Sequence, residues 1–198
     1  MTTYFDTVSR SYADVSTSPG INTSEFLQAS EGLVKLFDLL GNPAFTVVQN
    51  DLNGNIKKVR ARLLATPEVS STLQDLVHHE GKPGDKKRPA TEGLMWLLRG
   101  LDFTAQALRR LTKDAQEELS PAFTNAYSAT LSKHHSFIVR GIFSVAMKAC
   151  PYRAEFYLKL GSPQDRVEVE LEKWLAALEN IVSIMTKYYA DGNYGKGL

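Results

Sequence analysis

The chain holds one cysteine, Cys150, among 198 residues. That excludes an internal disulfide framework and any zinc site built from cysteines, and it points to a reducing compartment. Cys150 itself reads as a small buried hydrophobe. An excess of charge of either sign is missing as well. Lysine plus arginine total 23 and aspartate plus glutamate 22, so no global field selects nucleic acid or a strongly anionic partner. No run approaches the roughly 18 apolar residues of a membrane span, and the first twenty positions lack the apolar core of a signal peptide. The expectation is a cytoplasmic protein, and the sequon Asn22-Thr23-Ser24 reads as a helix start, not a glycan site.

Catalytic signatures are also lacking. There is no phosphate-cradling glycine loop, no Gly-x-Ser-x-Gly elbow and no His-Glu-x-x-His helix. His78-His79 and His134-His135 are adjacent pairs whose side chains diverge by about 100° on a helix, which argues against a shared metal. No enzyme activity, metal or cofactor is expected.

What is present is helical patterning. No segment alternates with period two, so the fold is expected to be all-α with about eight helices, and no fixed period suggests a solenoid. Residues 1–20 are polar, end in Ser18-Pro19-Gly20 and read as a loosely held, flexible arm. Residues 21–198 read as a single domain. Helices are expected from Asn22, with Glu25 in the manner of a capping box, to Leu40; from Phe45 to Thr66; around Leu73 to Val77; from Thr91 to about Leu111; from a Ser120-Pro121 cap through Tyr127; from His134 to Pro151; from Tyr152 to Leu160; and from Ser162-Pro163 to a glycine-rich tail at Asp191. Glu80 to Pro89 reads as a charged, mobile loop.

One stretch carries two conflicting readings. Asp51-Leu52-Asn53-Gly54-Asn55-Ile56-Lys57-Lys58 has turn composition, and Gly54 inside a helix costs roughly 1 kcal/mol relative to alanine. As a helix, it stacks Asp51, Asn55 and Lys58 in one row at i, i+4 and i+3 spacing, offering acceptors and donors to a ligand rich in hydroxyl groups. The bland reading is a solvated face or a surface turn. Trp96 in an apolar helix is by itself more often core than platform, and His135 is usually a satisfied histidine. A glycosidase would need two placed carboxylates where this row has only Asp51.

Four separated motifs, Asp51-x-x-x-Asn55-x-x-Lys58, Gly93-Leu94-Met95-Trp96-Leu97-Leu98-Arg99-Gly100-Leu101, His134-His135-Ser136-Phe137-Ile138-Val139 and Ala149-Cys150-Pro151-Tyr152-Arg153, resemble the glycolipid transfer protein family in order and spacing. The surroundings are most similar to its fungal heterokaryon-incompatibility branch. The resemblance implies a two-layer all-α sandwich that binds a glycosphingolipid, such as galactosylceramide, glucosylceramide or lactosylceramide, and moves it between membranes through transient peripheral contact. It implies that Asp51 accepts from the ceramide amide and a sugar hydroxyl, that Asn55 and Lys58 bond further hydroxyls, that Trp96 is the sugar platform, that His135 donates to the ceramide carbonyl, and that Tyr194 approaches the headgroup. Phe137 falls where the animal proteins dock on membranes through tryptophan, with Lys148 and Tyr152 nearby. The ceramide-phosphate branch carries extra arginine where this chain has Met95 and Trp96, which favours sugar over phosphate. Phe37, Phe45, Leu94, Phe103 and Phe143 are the expected lining of an apolar pocket for the lipid chains, because apolar helix faces are wider than a simple core requires. A helical adaptor or lipid sensor, receiving a partner in the apolar groove, is the alternative from another class.

Overall fold

A computed structural model describes residues 2–198. Within them nine α-helices are joined by short 3-10 turns, and extended pairing is confined to two isolated bridges, Thr3 with Gly161 and Asn22 with Thr72. The helices are α1 (Tyr4–Thr7), α2 (Thr23–Leu36), α3 (Thr46–Ala65), α4 (Leu73–Glu80), α5 (Pro89–Lys113), α6 (Leu119–Ala129), α7 (Phe137–Lys148), α8 (Arg153–Leu160) and α9 (Gln164–Asp191). They form the expected all-α, two-layer sandwich, with α5 in contact with α3, α6 and α9 while α2 packs on α3 and α7 on α6. The central place of α5 follows from its sequence. Leu94, Leu97, Leu98, Leu101, Phe103 and Leu108 are all buried, and together they cover more than one face of a helix.

The disputed stretch is helix. Val48, Leu52, Ile56 and Val59 are buried on one stripe of α3, and burying an aliphatic side chain is worth about 1.5–3 kcal/mol. Four of them outweigh the roughly 1 kcal/mol that Gly54 costs. Asn55 stands in the same stripe and is only 4 % exposed.

Two glycines on α5 set how near α3 can come. A methyl group on Gly100 would lie 2.7 Å from Leu52 Cδ2, and one on Gly93 would lie 3.0 Å from Lys58 Cβ and 3.4 Å from the Asn55 carbonyl. Gly93 and Gly100 are two turns apart and face the same antiparallel neighbour. On the far side Arg109 clasps α5 to α9: its Nε and Nη2 donate to the two carboxylate oxygens of Glu179 at 2.8 and 2.7 Å, a bidentate geometry that holds both partners.

Several expectations are corrected. Residues 1–20 are not a loose arm: Tyr4, Tyr12 and Val15 are buried, Tyr12 is 1 % exposed, its hydroxyl donates to Ser30 Oγ at 3.1 Å, and its ring meets Trp174 edge-on at 5.2 Å. Aromatic burial outweighs the polar composition around it. The segment also supplies α1, the first of the nine helices. The 80–89 loop is tied down, because buried Arg88 donates to the Tyr194 and Lys196 carbonyls at 2.7 and 2.6 Å and Gly84 N donates to the same Lys196 carbonyl. The same bonds hold the C-terminal tail. Pro121 sits inside α6, which starts at Leu119 behind Glu118. His134 and His135 precede α7, which Ser136 caps by accepting from Val139 N. At Asn22 half of the expected capping box forms: Asn22 Oδ1 accepts from Glu25 N at 3.0 Å, while the Glu25 carboxylate turns to Ser16 N.

The two kinds of glycine give opposite expectations. Nothing lies within 4 Å of a methyl placed on Gly54, so Gly54→Ala should raise the unfolding free energy by about 0.5–1 kcal/mol. Gly100→Ala should lower it by about 1–3 kcal/mol, because the added carbon overlaps Leu52. Urea denaturation of both variants checks the pair, and a stabilised Gly100→Ala would contradict the close approach.

Candidate functional site

The α3 row and the α5 tryptophan meet in one cleft of about 340 Å³, lined by Asp51, Asn55, Lys58, Glu92, Trp96, His134, His135, Ser136 and Val139. The row is internally bonded. Lys58 Nζ donates to Asn55 Oδ1 at 3.5 Å, and Asn55 Nδ2 donates to Asp51 Oδ2 at 3.3 Å. Both bonds are long, so they hold the row in register without saturating it. Burial raises the Asp51 carboxyl above the usual carboxylate range, with the Lys58 ammonium opposing the shift.

Trp96 stands at the centre. The His135 ring stacks on it at 6.0 Å and 16°, the His134 ring meets it edge-on at 6.1 Å, and the Arg99 guanidinium lies 4.6 Å from its ring centroid. His135 is fixed from behind by Tyr127, whose hydroxyl lies 3.0 Å from Nδ1. A Tyr127 that donates there leaves the proton on Nε2, free to donate in turn. Burial, then the Arg99 charge, hold the His135 imidazole below its ordinary value, and His134 is lowered for the same two reasons with Lys133 adding to them. Both rings are neutral at pH 7.

Behind His135 begins a file of aromatic rings that leads into the core. His135 touches Phe143 at 4.8 Å, Phe143 stacks on Tyr127 at 5.0 Å and reaches Phe103 at 6.4 Å. Phe103 meets Phe123 at 5.7 Å, Phe123 meets Phe45 at 6.5 Å, and Phe45 meets Phe37 at 5.9 Å. Phe37, Phe45, Leu94, Phe103 and Phe143 are all buried. The four phenylalanines meet ring to ring, directly or through Phe123, as apolar side chains that leave water pack to full density.

Outside the cleft α7 shows an apolar outer face. Phe137 is 84 % exposed, with Ile138, Ile142 and Val145 also exposed, and Tyr152 is 72 % exposed beyond the helix end. Lys148 is exposed on the last turn of α7.

Of the residues singled out in the sequence, Asp51, Asn55, Lys58, Trp96 and His135 come together, and Tyr194 does not. Its ring stacks on Tyr188 at 5.1 Å and its hydroxyl lies 3.2 Å from His78 Nδ1, a packing that Arg88 fixes through the Tyr194 carbonyl. Glu92, His134 and Tyr127 were missed. Glu92 was findable, four residues before Trp96 on the same face of α5. Tyr127 had no local signal, since it reaches His135 across the turn between α6 and α7. Among the described residues no group of three or more His, Cys, Asp or Glu is placed to hold a metal. Burial pushes the Cys150 thiol up to about 12, which leaves it unreactive at neutral pH. No helix of the described residues is long and apolar enough to cross a membrane.

An all-α sandwich whose polar cleft opens beside an aromatic-filled interior defines a lipid-binding fold, and comparison with known proteins agrees. A model of the glycolipid transfer protein family matches residues 21–162. A glycolipid transfer protein of Aureobasidium melanogenum is 56 % identical over 189 residues, covering 95 % of this chain and 93 % of its own. The human pleckstrin homology domain-containing family A member 8 is 34 % identical over 200 residues, covering 94 % of this chain, which spans 38 % of that longer protein. Among solved structures, that of HET-C2, a fungal glycolipid transfer protein, superposes with a TM-score of 0.90 at 44 % identity, covering 95 % of this chain and 97 % of the other. The chain belongs to the glycolipid transfer protein family.

The lowered imidazoles give a pH expectation with a definite sign. His134 and His135 bind protons more weakly folded than unfolded, so their contribution to stability is complete above the ordinary value of 6.5 and is lost as pH falls through the depressed folded values. Asp51, with its raised carboxyl, contributes in the opposite sense in the carboxylate range. Between about pH 7 and pH 5 the wild type should therefore lose more unfolding free energy than His134→Gln/His135→Gln, which keeps Asp51. Equal losses in urea titrations would contradict the weakened proton binding of the two rings.

Proposed function

We propose that this protein is a non-enzymatic carrier of glycosphingolipids between membranes. The observation that carries the reading is the convergence of Asp51, Asn55, Lys58, Trp96 and His135 on one cleft at the mouth of the aromatic file. Donor and acceptor chemistry suits a ceramide-linked sugar. Asp51 accepts from the ceramide amide and a sugar hydroxyl, Asn55 and Lys58 reach further hydroxyls, the Trp96 ring supports the first sugar, and His135 Nε2 donates to the ceramide carbonyl. Galactosylceramide, glucosylceramide and lactosylceramide share that arrangement of groups. Asp51 gives selectivity, because a lipid without matching donors leaves its carboxylate unpaired once the headgroup covers it. No bond is made or broken, and no cofactor is called for.

The energetics explain why a carrier is needed. A ceramide has on the order of thirty methylenes, and at about 0.8 kcal/mol each their passage through water would cost more than roughly 20 kcal/mol. An apolar interior must replace the bilayer. Phe143 and Phe103 stand directly behind the ceramide-facing His135, so the chains enter by parting the aromatic file and taking over its contacts. The outer face of α7, with Phe137 and Ile138 foremost, is the docking surface, joined by Tyr152 and Lys148. Cytoplasmic membrane faces are the natural place of work for a chain with one inert cysteine.

Fluorescent galactosylceramide transfer between vesicles, run beside fluorescent ceramide 1-phosphate, tests the assignment. The sugar lipid alone should move, and Asp51→Val should abolish its transfer while leaving the circular dichroism unchanged. Retained transfer by that variant, or movement of the phosphate lipid alone, would overturn the headgroup roles. Phe137→Ala/Ile138→Ser should slow transfer about tenfold by weakening adsorption to vesicles, with bound-lipid affinity in detergent preserved. A variant that adsorbs normally would remove α7 from the docking surface.

A further inference from the structure

A second cavity, of about 420 Å³, lies on the other side of Trp96 between α5, the end of α6 and α9. It shares His134 with the headgroup cleft, and it shares Asp102, Thr186 and Ala190 with a groove of about 510 Å³ that continues along the α5–α9 seam past Ala105 and Val182. The second cavity and the groove follow one trench along the α5–α9 seam, which the proposed carrier function does not use.

Its chemistry is graded along its length. At the Trp96 end stand Arg99 and Lys133. Arg99 is half-buried, lies over the Trp96 ring, contacts Met95 Sδ at 3.4 Å, and makes no ion pair among the described residues. Lys133 also has no hydrogen-bond or ion-pair partner among them. The one carboxylate nearby, Asp102, accepts from Gln106 Nε2 at 3.0 Å. Burial lowers the Arg99 pKa, the mark of a charge that has lost water without gaining an anion. Leu98 in the cavity and Ala105 and Val182 in the groove supply the trench's apolar floor, and Gln106, Glu179, Ser183, Thr186 and Lys187 line the groove beside them.

We propose that the trench between α5 and α9 is a second ligand site, which takes a single-chain amphiphile with a phosphomonoester head. Arg99 and Lys133 hold the head, and the tail lies along Leu98, Ala105 and Val182. Two cations attract a dianion, with the single Asp102 carboxylate opposing them, and the guanidinium presents a planar fork that fits two phosphate oxygens. The occupant reaches Trp96 indirectly. A guanidinium engaged by phosphate is drawn off the indole face, so occupancy of the trench alters the ring that borders the headgroup cleft. By linkage the two sites then influence each other's affinity equally.

Calorimetric titration with octyl phosphate below its micelle concentration tests the site, with inorganic phosphate and 1-octanol as controls. One molecule should bind, Lys133→Glu should weaken it about tenfold or more, and Ala190→Trp should block it by filling the trench. Asp51→Val should leave it unchanged. Titration should shift the protein's fluorescence, and the shift should vanish in Trp96→Phe. Equal binding of inorganic phosphate would reduce the site to an ion contact, and equal binding of 1-octanol would remove the anion recognition. Loss of binding in Asp51→Val would place the amphiphile in the headgroup cleft, and a fluorescence shift that survives Trp96→Phe would remove the link through Arg99. None of these measurements involves a glycolipid, so their failure leaves the carrier reading standing, and the converse holds.

Discussion

The near contact of α3 and α5 at Gly93 and Gly100 is the constraint on which the rest depends. With no side chain at either position, the two backbones approach until Leu52 and Lys58 lie against bare α5. That closeness seats Asn55 within the packing stripe of α3 while its amide still faces the cleft, and it puts the row on α3 and Trp96 on α5 on opposite walls of one narrow cleft. A larger residue at either glycine would part the helices and spread those walls. Sites built on packed helices hold their geometry better than sites on loops, and here the precision comes from two missing side chains.

His135 joins two environments that ordinarily repel each other. One face of its ring stacks on Trp96 in the polar cleft, and its edge meets Phe143, the first ring of a file that runs to Phe37. Tyr127 bonds its Nδ1 and stacks on Phe143 as well, so one tyrosine fixes both the polar role of the histidine and the apolar layer behind it. A neutral imidazole suits the junction. A charged one would need hydration or a carboxylate, and the bond His135 makes here is to the Tyr127 hydroxyl.

The sequence disclosed whatever depends on near neighbours. Helical spacing offered α3 as one of two readings of the Gly54 stretch, and on that reading the i, i+3 and i, i+4 offsets were enough to stack Asp51, Asn55 and Lys58 on one face. Trp96 and His135 became informative only through the resemblance of their surroundings to a known family. What stayed hidden depends on distant contacts. Tyr12 looks like part of a polar arm until Trp174 is placed beside it, and the position of Tyr194 follows from buried Arg88, 106 residues away. Tyr127 belongs to the same class, since only the turn after α6 brings His135 to its hydroxyl.

The apolar residues illustrate a further limit of pattern. Periodicity tells which side chains leave water; it does not tell whether they face one another or a guest. Phe37, Phe45, Phe103 and Phe143 satisfy the pattern equally well as a closed file or as a lining. The two arrangements differ little in apolar surface exposed to water, because every ring contact given up is replaced by one with a methylene chain of similar density. Opening is therefore opposed chiefly by the geometric preference of ring for ring, worth about 0.5–1.5 kcal/mol per pair beyond area. Against a lipid whose burial is worth more than roughly 20 kcal/mol, that preference is small. A carrier that exchanges one apolar filling for another can stay closed without a ligand and still open to one, provided that the polar end of the route, the α3 row and His135, stays where the α3–α5 contact holds it.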